Sequence, residues 1–102
     1  MLNFNKLQGF DWDKGNLDKN RLKHNVTVKE CEQIFYNKPL VVLLDEDHST
    51  KEPRYKVYGK TSRGRNLALA VTIRNQKIRV IVARDQSRKE RKTVEDNIAG
   101  GK

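Results

Sequence analysis

Apolar residues change their spacing several times along the 102-residue chain, and the changes predict its elements. Residues near Phe4–Trp12 read as a first strand. Asp13 is the candidate N-cap of a helix over roughly Lys14–His24, with Leu17 and Leu22 as its apolar contacts and Asn25 as a left-handed terminator. Thr27-Val28-Lys29-Glu30 has capping-box spacing, and Val26 and Cys31 are placed for a hydrophobic staple. A second helix is therefore expected over about Val28–Tyr36, burying Val28, Cys31, Ile34 and Phe35 and ending before Pro39. The apolar run Leu40–Leu44 predicts a buried strand, and Asp45–Lys51 an acidic loop. Arg54–Lys60, Leu67–Arg74 and Ile78–Arg84 alternate with period two, the signature of strands with one buried face. Ser87-Arg88-Lys89-Glu90 repeats the capping-box spacing ahead of a short helix whose only apolar residues are Val94 and Ile98. So thin a stripe predicts fraying before Gly100.

The turns fix how the three alternating strands pair. A three-residue loop at Ser62-Arg63-Gly64, with Gly64 in the left-handed position, sets Val57 opposite Leu69, Tyr55 opposite Val71 and Arg54 opposite Thr72. A two-residue turn at Asn75-Gln76 sets Ile73 opposite Ile78, Val71 opposite Val80 and Thr72 opposite Arg79. Both registers sort side chains in the same way, as a sheet with one buried face requires. The expected core face carries Tyr55, Val57, Leu67, Leu69, Val71, Ile73, Ile78, Val80 and Val82. The expected open face carries Arg54, Lys56, Tyr58, Ala68, Ala70, Thr72, Arg74, Arg79, Ile81 and Ala83. That open face is cationic, contains an aromatic residue and is floored by small side chains. Such a surface suits a single-stranded polynucleotide.

Charge reinforces this reading. The chain carries a net +9, unevenly distributed: Arg54–Lys92 holds 13 Lys and Arg against Asp85 and Glu90, whereas residues 1–53 hold 8 bases and 9 acids. A clustered positive field attracts polyanions, nucleic acid foremost. Arg54, Lys56, Arg74 and Arg79 have few acids among them, whereas a merely solvated face mixes signs. The lone Cys31 excludes an internal disulfide and, without a secretory signal, predicts a cytoplasmic protein. No apolar run approaches the ~20 residues of a spanning helix, so no membrane association is expected. One domain over residues 1–95 with a flexible tail over 96–102 accounts for the length.

Several stretches, in order, resemble one family. They are Phe10-Asp11-Trp12-Asp13, Lys23-His24-Asn25-Val26, Phe35-Tyr36-Asn37-Lys38-Pro39, Glu52-Pro53-Arg54-Tyr55, Ile78-Arg79-Val80-Ile81-Val82-Ala83-Arg84 and Arg88-Lys89-Glu90-Arg91. Together they resemble BrnT, the toxin of a bacterial type II toxin–antitoxin pair, over roughly residues 8–95. Asn25 stands where that family has Gly, Val82 where it has a small polar residue, and Val94 where it often has Tyr. The resemblance implies a RelE-like α+β fold: a curved antiparallel sheet with two N-terminal helices on one face and a short C-terminal helix. It also implies an endoribonuclease that inhibits translation. The implied partner is a DNA-binding, BrnA-like antitoxin that forms a hetero-oligomer with the toxin and alone brings operator DNA to the complex.

RNA supplies its own nucleophile, the ribose 2′-OH, so a nuclease without metal or cofactor needs a base, an acid and cations for the charge on phosphorus. Arginine suits the last task because it stays charged and grips phosphate with two N–H groups. The candidates for that role are Arg54, Arg79 and Arg84. Arg84 has the opposite strand parity, at a strand end where a bulge could redirect it. Lys56, Tyr58 (by stacking), Arg74, Arg88 and Arg91 are substrate-contact candidates, and His24 and Glu52 the acid–base candidates. No metal motif is present; Asp45-Glu46-Asp47-His48 reads as a surface loop. Cys31 and Trp12 read as core. The alternatives are a non-catalytic RNA- or DNA-binding module using the same face, and a protein-interaction domain for an acidic partner.

Overall fold

The computed structural model describes residues 7–12, 24–48 and 51–100. Its elements in chain order are α1 (Val28–Ile34), β1 (Val41–Leu44), a 3-10 turn (Glu46–His48), β2 (Arg54–Lys60), β3 (Asn66–Arg74), β4 (Lys77–Asp85) and α2 (Arg88–Gly100). The strands form one antiparallel sheet in the order β1-β2-β3-β4.

The start of α1 follows the sequence closely. Asn25 adopts the left-handed conformation, with φ of +53°. Thr27 Oγ1 accepts the Glu30 amide at 3.2 Å, and Glu30 Oε1 accepts the Thr27 amide at 3.0 Å. The staple residues Val26 and Cys31 are each 2% exposed. The helix is shorter than expected and ends at Ile34, with Phe35 as its C-cap. Phe35 still packs against the core. Burial, helped by the nearby Glu30 and Glu32 carboxylates, pushes the Cys31 thiol up to about 12, as befits a core residue. α1 lies close on β2: a Cβ added to Gly59 would stand 2.7 Å from the Cβ of Ile34.

The expected pair of N-terminal helices on one sheet face is corrected. Among the described residues one early helix, α1, packs on the core face, and the other helix is C-terminal. Residues 14–23, assigned to the first expected helix, lie outside the described residues, as does the start of the expected first strand. Of that strand, Phe10 makes a single parallel bridge to Ile78. The Asp11 amide donates to the Ile78 carbonyl (2.8 Å) and the Ile78 amide to the Gly9 carbonyl (2.9 Å). This extended segment brings aromatic mass to the core face. Phe10 stacks on Trp12 at 5.8 Å and meets Phe35 edge-on at 5.3 Å, and both Phe10 and Trp12 pack against the buried cluster. Trp12 satisfies its indole N–H on Glu32 Oε2 at 2.9 Å. Phe10 and Trp12 thus form an aromatic strap beside α1 on the core face.

The β2–β3 hairpin has the expected register from Arg54↔Thr72 to Lys60↔Asn66, and Gly64 has φ of +89°. In the β3–β4 hairpin the expected register holds from Arg74↔Lys77 to Val71↔Val80, around a turn with positive φ at both Asn75 and Gln76. It then slips by one: Ala70 pairs with Val82, Leu69 with Ala83 and Ala68 with Arg84. Ile81 is the extra residue of a β-bulge, and every side chain beyond it changes face. Ala83 therefore joins the core cluster with Val57, Leu67 and Leu69, and Val82 and Arg84 turn to the other face.

β1 is an edge strand rather than a buried one, with Leu44 53% exposed. Its alternation gives Val42 to the core cluster and Val41 and Leu43 to a second, smaller cluster on the opposite face. That second cluster consists of Val41, Tyr58 and Ala68, with Leu43 and Val94 packed against it. Val94 belongs to α2, so the C-terminal helix lies against the face opposite α1. Among the described residues no helix is long and apolar enough to cross a membrane.

Candidate functional site

Where α2 meets the sheet, a cavity of about 370 Å³ opens. Its lining includes Arg54, Lys56 and Tyr58 from β2, Ala68 and Ala70 from β3, Val82 and Arg84 from β4, Asp45 before the 3-10 turn and Glu90 from α2. The pairing explains the gathering. Arg54, Thr72 and Arg79 form one cross-strand row, Lys56, Ala70 and Val82 the next, and Tyr58, Ala68 and Arg84 the third. Successive rows are two residues apart, about 7 Å along the strands. Small side chains in the middle strand leave the floor low, and the bulge at Ile81 delivers Arg84 to the third row.

Arg84 is held by Glu90. Its Nη1 donates to Glu90 Oε1 at 2.6 Å and to the Asp85 carbonyl at 3.1 Å, and its Nη2 donates to Glu90 Oε2 at 2.9 Å. Glu90 also completes the second capping box: its Oε1 accepts the Ser87 amide at 2.9 Å, while Ser87 Oγ accepts the Glu90 amide at 3.1 Å. The hydrogen bonds from Arg84, aided by the Ser87 amide and opposed by burial, bring the Glu90 carboxyl down to about 2. Glu90 in turn raises the pKa of Arg84 above its ordinary value. Tyr58 is 4% exposed, so its ring is packing rather than an open stacking platform. Burial first, then the Glu90 charge, raises its pKa, and its hydroxyl hydrogen-bonds to Glu90.

The other candidates lie elsewhere. Glu52 grips Arg74 side-on, accepting from Nε at 3.1 Å and Nη2 at 2.9 Å. That hydrogen bonding, with the nearby charges of Arg79 and Arg54, lowers the Glu52 pKa. Glu52, Arg74 and Arg79 thus mark the far end of the same face, outside the cavity lining. His24 sits with Arg65. Arg65 Nη2 donates to the His24 carbonyl at 3.1 Å and Nη1 to the Asn25 carbonyl at 2.8 Å, and the guanidinium bridges Asp85 and Glu30. This cluster joins α1 to the sheet, so His24 stands on the α1 side, away from the cavity. Arg88 and Arg91 are exposed on α2 and do not line the cavity.

Two charged residues of the cavity, both acidic, are not among the sequence candidates. The sequence marks Glu90 as the capping partner of Ser87 and as part of the Arg88-Lys89-Glu90-Arg91 stretch, but not as a partner of Arg84, although a carboxylate six residues after a strand-end arginine is itself a signal. The sequence predicts a surface loop at Asp45, whereas its amide donates to the Arg54 carbonyl at 2.8 Å and the residue is buried. Nothing in the local pattern distinguishes it from its acidic neighbours.

Comparison with known families places the chain. A model of the ribonuclease toxin BrnT of type II toxin–antitoxin systems matches residues 12–90, which span α1, the whole sheet and the start of α2 through Glu90. No curated protein matches the chain. Type II toxins of this kind have an RNA target and a protein antitoxin as partner. With most of its length covered by that match, the chain belongs to the BrnT family of type II toxin–antitoxin ribonuclease toxins.

Proposed function

We propose that the protein is a metal-independent endoribonuclease that cuts RNA through the ribose 2′-OH in the cavity between β2, β4 and α2, stops translation in the cytoplasm, and is neutralised by a BrnA-like antitoxin covering this face. The observation that carries the reading is the convergence of Arg54, Lys56 and Arg84 on one cavity of about 370 Å³ beside the buried Tyr58 hydroxyl. Arg84 and Lys56 stabilise the charge that grows on the phosphoryl oxygens, which preorganised cations do best away from bulk water. Tyr58, kept protonated by burial and Glu90, donates toward the leaving 5′ oxygen. Of the two cavity carboxylates, Glu90 is a weak base because Arg84 holds it ionised. Asp45, the other carboxylate in the lining, is our candidate to accept the 2′-OH proton. The row of Arg54 with Arg79 extends the cationic surface away from the scissile position and binds flanking phosphates.

Released from its antitoxin, the full-length protein should cut end-labelled single-stranded RNA in the presence of EDTA. A single 2′-deoxy substitution at the cleaved position should abolish the cut there. Cleavage of the deoxy-substituted strand, or cleavage only on addition of a divalent cation, would refute this chemistry. Steeply salt-dependent binding with no product would favour the non-catalytic binding module.

A further inference from the structure

We propose that Glu90 is a positioning residue that presents one edge of Arg84 to the substrate phosphate; the inference rests on the ribonuclease reading above. A guanidinium carries five N–H donors in a rigid plane. In Arg84 both Nη1 hydrogens are engaged, by Glu90 Oε1 and the Asp85 carbonyl, and one Nη2 hydrogen by Glu90 Oε2. The Nε–H and the second Nη2–H remain, side by side on one edge, with no acceptor among the described residues. Arg74 uses that same edge to grip the two oxygens of Glu52, so it fits a pair of oxygens on one centre. Because Arg84 lines the cavity, this edge is what it has left for a phosphate.

Glu90 is itself fixed. Its capping box with Ser87 anchors it in the first turn of α2, and Val94 one turn later packs on the Tyr58 cluster. The carboxylate therefore links the placement of α2, the orientation of Arg84 and the Tyr58 hydroxyl. Its charge is already neutralised by Arg84, which leaves it to orient rather than to take a proton.

The test compares Glu90→Gln with Ser87→Ala in full-length protein released from antitoxin. Ser87→Ala weakens the same helix cap but leaves the Arg84 pair intact, so it controls for a loosened α2. Misplacing a catalytic group by about 1 Å costs roughly 10²-fold, so E90Q should lower kcat for RNA cleavage by about that factor with KM little changed. S87A should keep the wild-type kcat at a similar loss of thermal stability. Glu90→Asp, which keeps the charge but shortens the reach, should also lower kcat and serves if E90Q does not fold. Adding E90Q to Arg84→Ala should cost nothing further. Wild-type kcat in E90Q, or equal losses in E90Q and S87A, would overturn the role of Glu90 alone. An inactive wild-type protein would overturn the ribonuclease reading beneath it.

Discussion

Glu90 shows how much one carboxylate can organise, since the same two oxygens cap α2 and clamp Arg84. Its acidity gives a stability signature. The carboxyl is held at about 2 against an ordinary 4.5, so the ionised form favours the folded state. That contribution is complete above pH 4.5 and is lost as the pH falls toward 2. Glu30, Glu52 and Asp85 are also lowered, so the whole protein weakens in acid, and only a difference isolates Glu90. In urea unfolding, the stability gap between wild type and E90Q should be constant near neutrality and shrink between pH 4.5 and 2. A gap independent of pH across that window would contradict the pairing. At this scale the strand alternation revealed Arg54, Lys56 and Tyr58 as neighbours in one dimension. Asp45 and Glu90 were not legible, because their role depends on a turn and a helix folding back over the sheet.

Between elements, the closest approach is α1 on β2 at Gly59. With an added Cβ 2.7 Å from the Cβ of Ile34 and 3.2 Å from its carbonyl oxygen, Gly59→Ala should destabilise by about 1–3 kcal/mol through overpacking, read by chemical denaturation. Unchanged stability would show that α1 can shift without cost. Thr27→Ala should cost about 1 kcal/mol by removing the α1 cap. Both hairpins were legible because their loops name their own registers. The bulge was not. Val80-Ile81-Val82-Ala83 is apolar on both parities, so no polar contrast marks the position where the register slips. The fate of Arg84 hung on that one residue.

Across the whole molecule, the +9 charge is divided more finely than the basic window suggests. Arg65 is committed to Glu30 and Asp85 on the α1 side, and Arg74 to Glu52 at the far end of the open face. Arg54, Lys56 and Arg84 line the cavity itself. Salt dependence should reflect that division. Binding of a non-cleavable, 2′-deoxy-substituted strand should weaken with salt, and Lys56→Ala should lower the slope of log K against log salt by about 0.7, one phosphate on a single strand. An unchanged slope would remove Lys56 from the phosphate path. The central claim is that Arg84, delivered by the bulge and held by Glu90, stabilises the charge of the cut phosphate. Gel-resolved cleavage of end-labelled RNA by full-length Arg84→Ala, released from antitoxin and shown to be folded by circular dichroism, tests it most directly. The expected result is a loss of about 10²–10³ in rate relative to wild type; wild-type cleavage by folded R84A would contradict it.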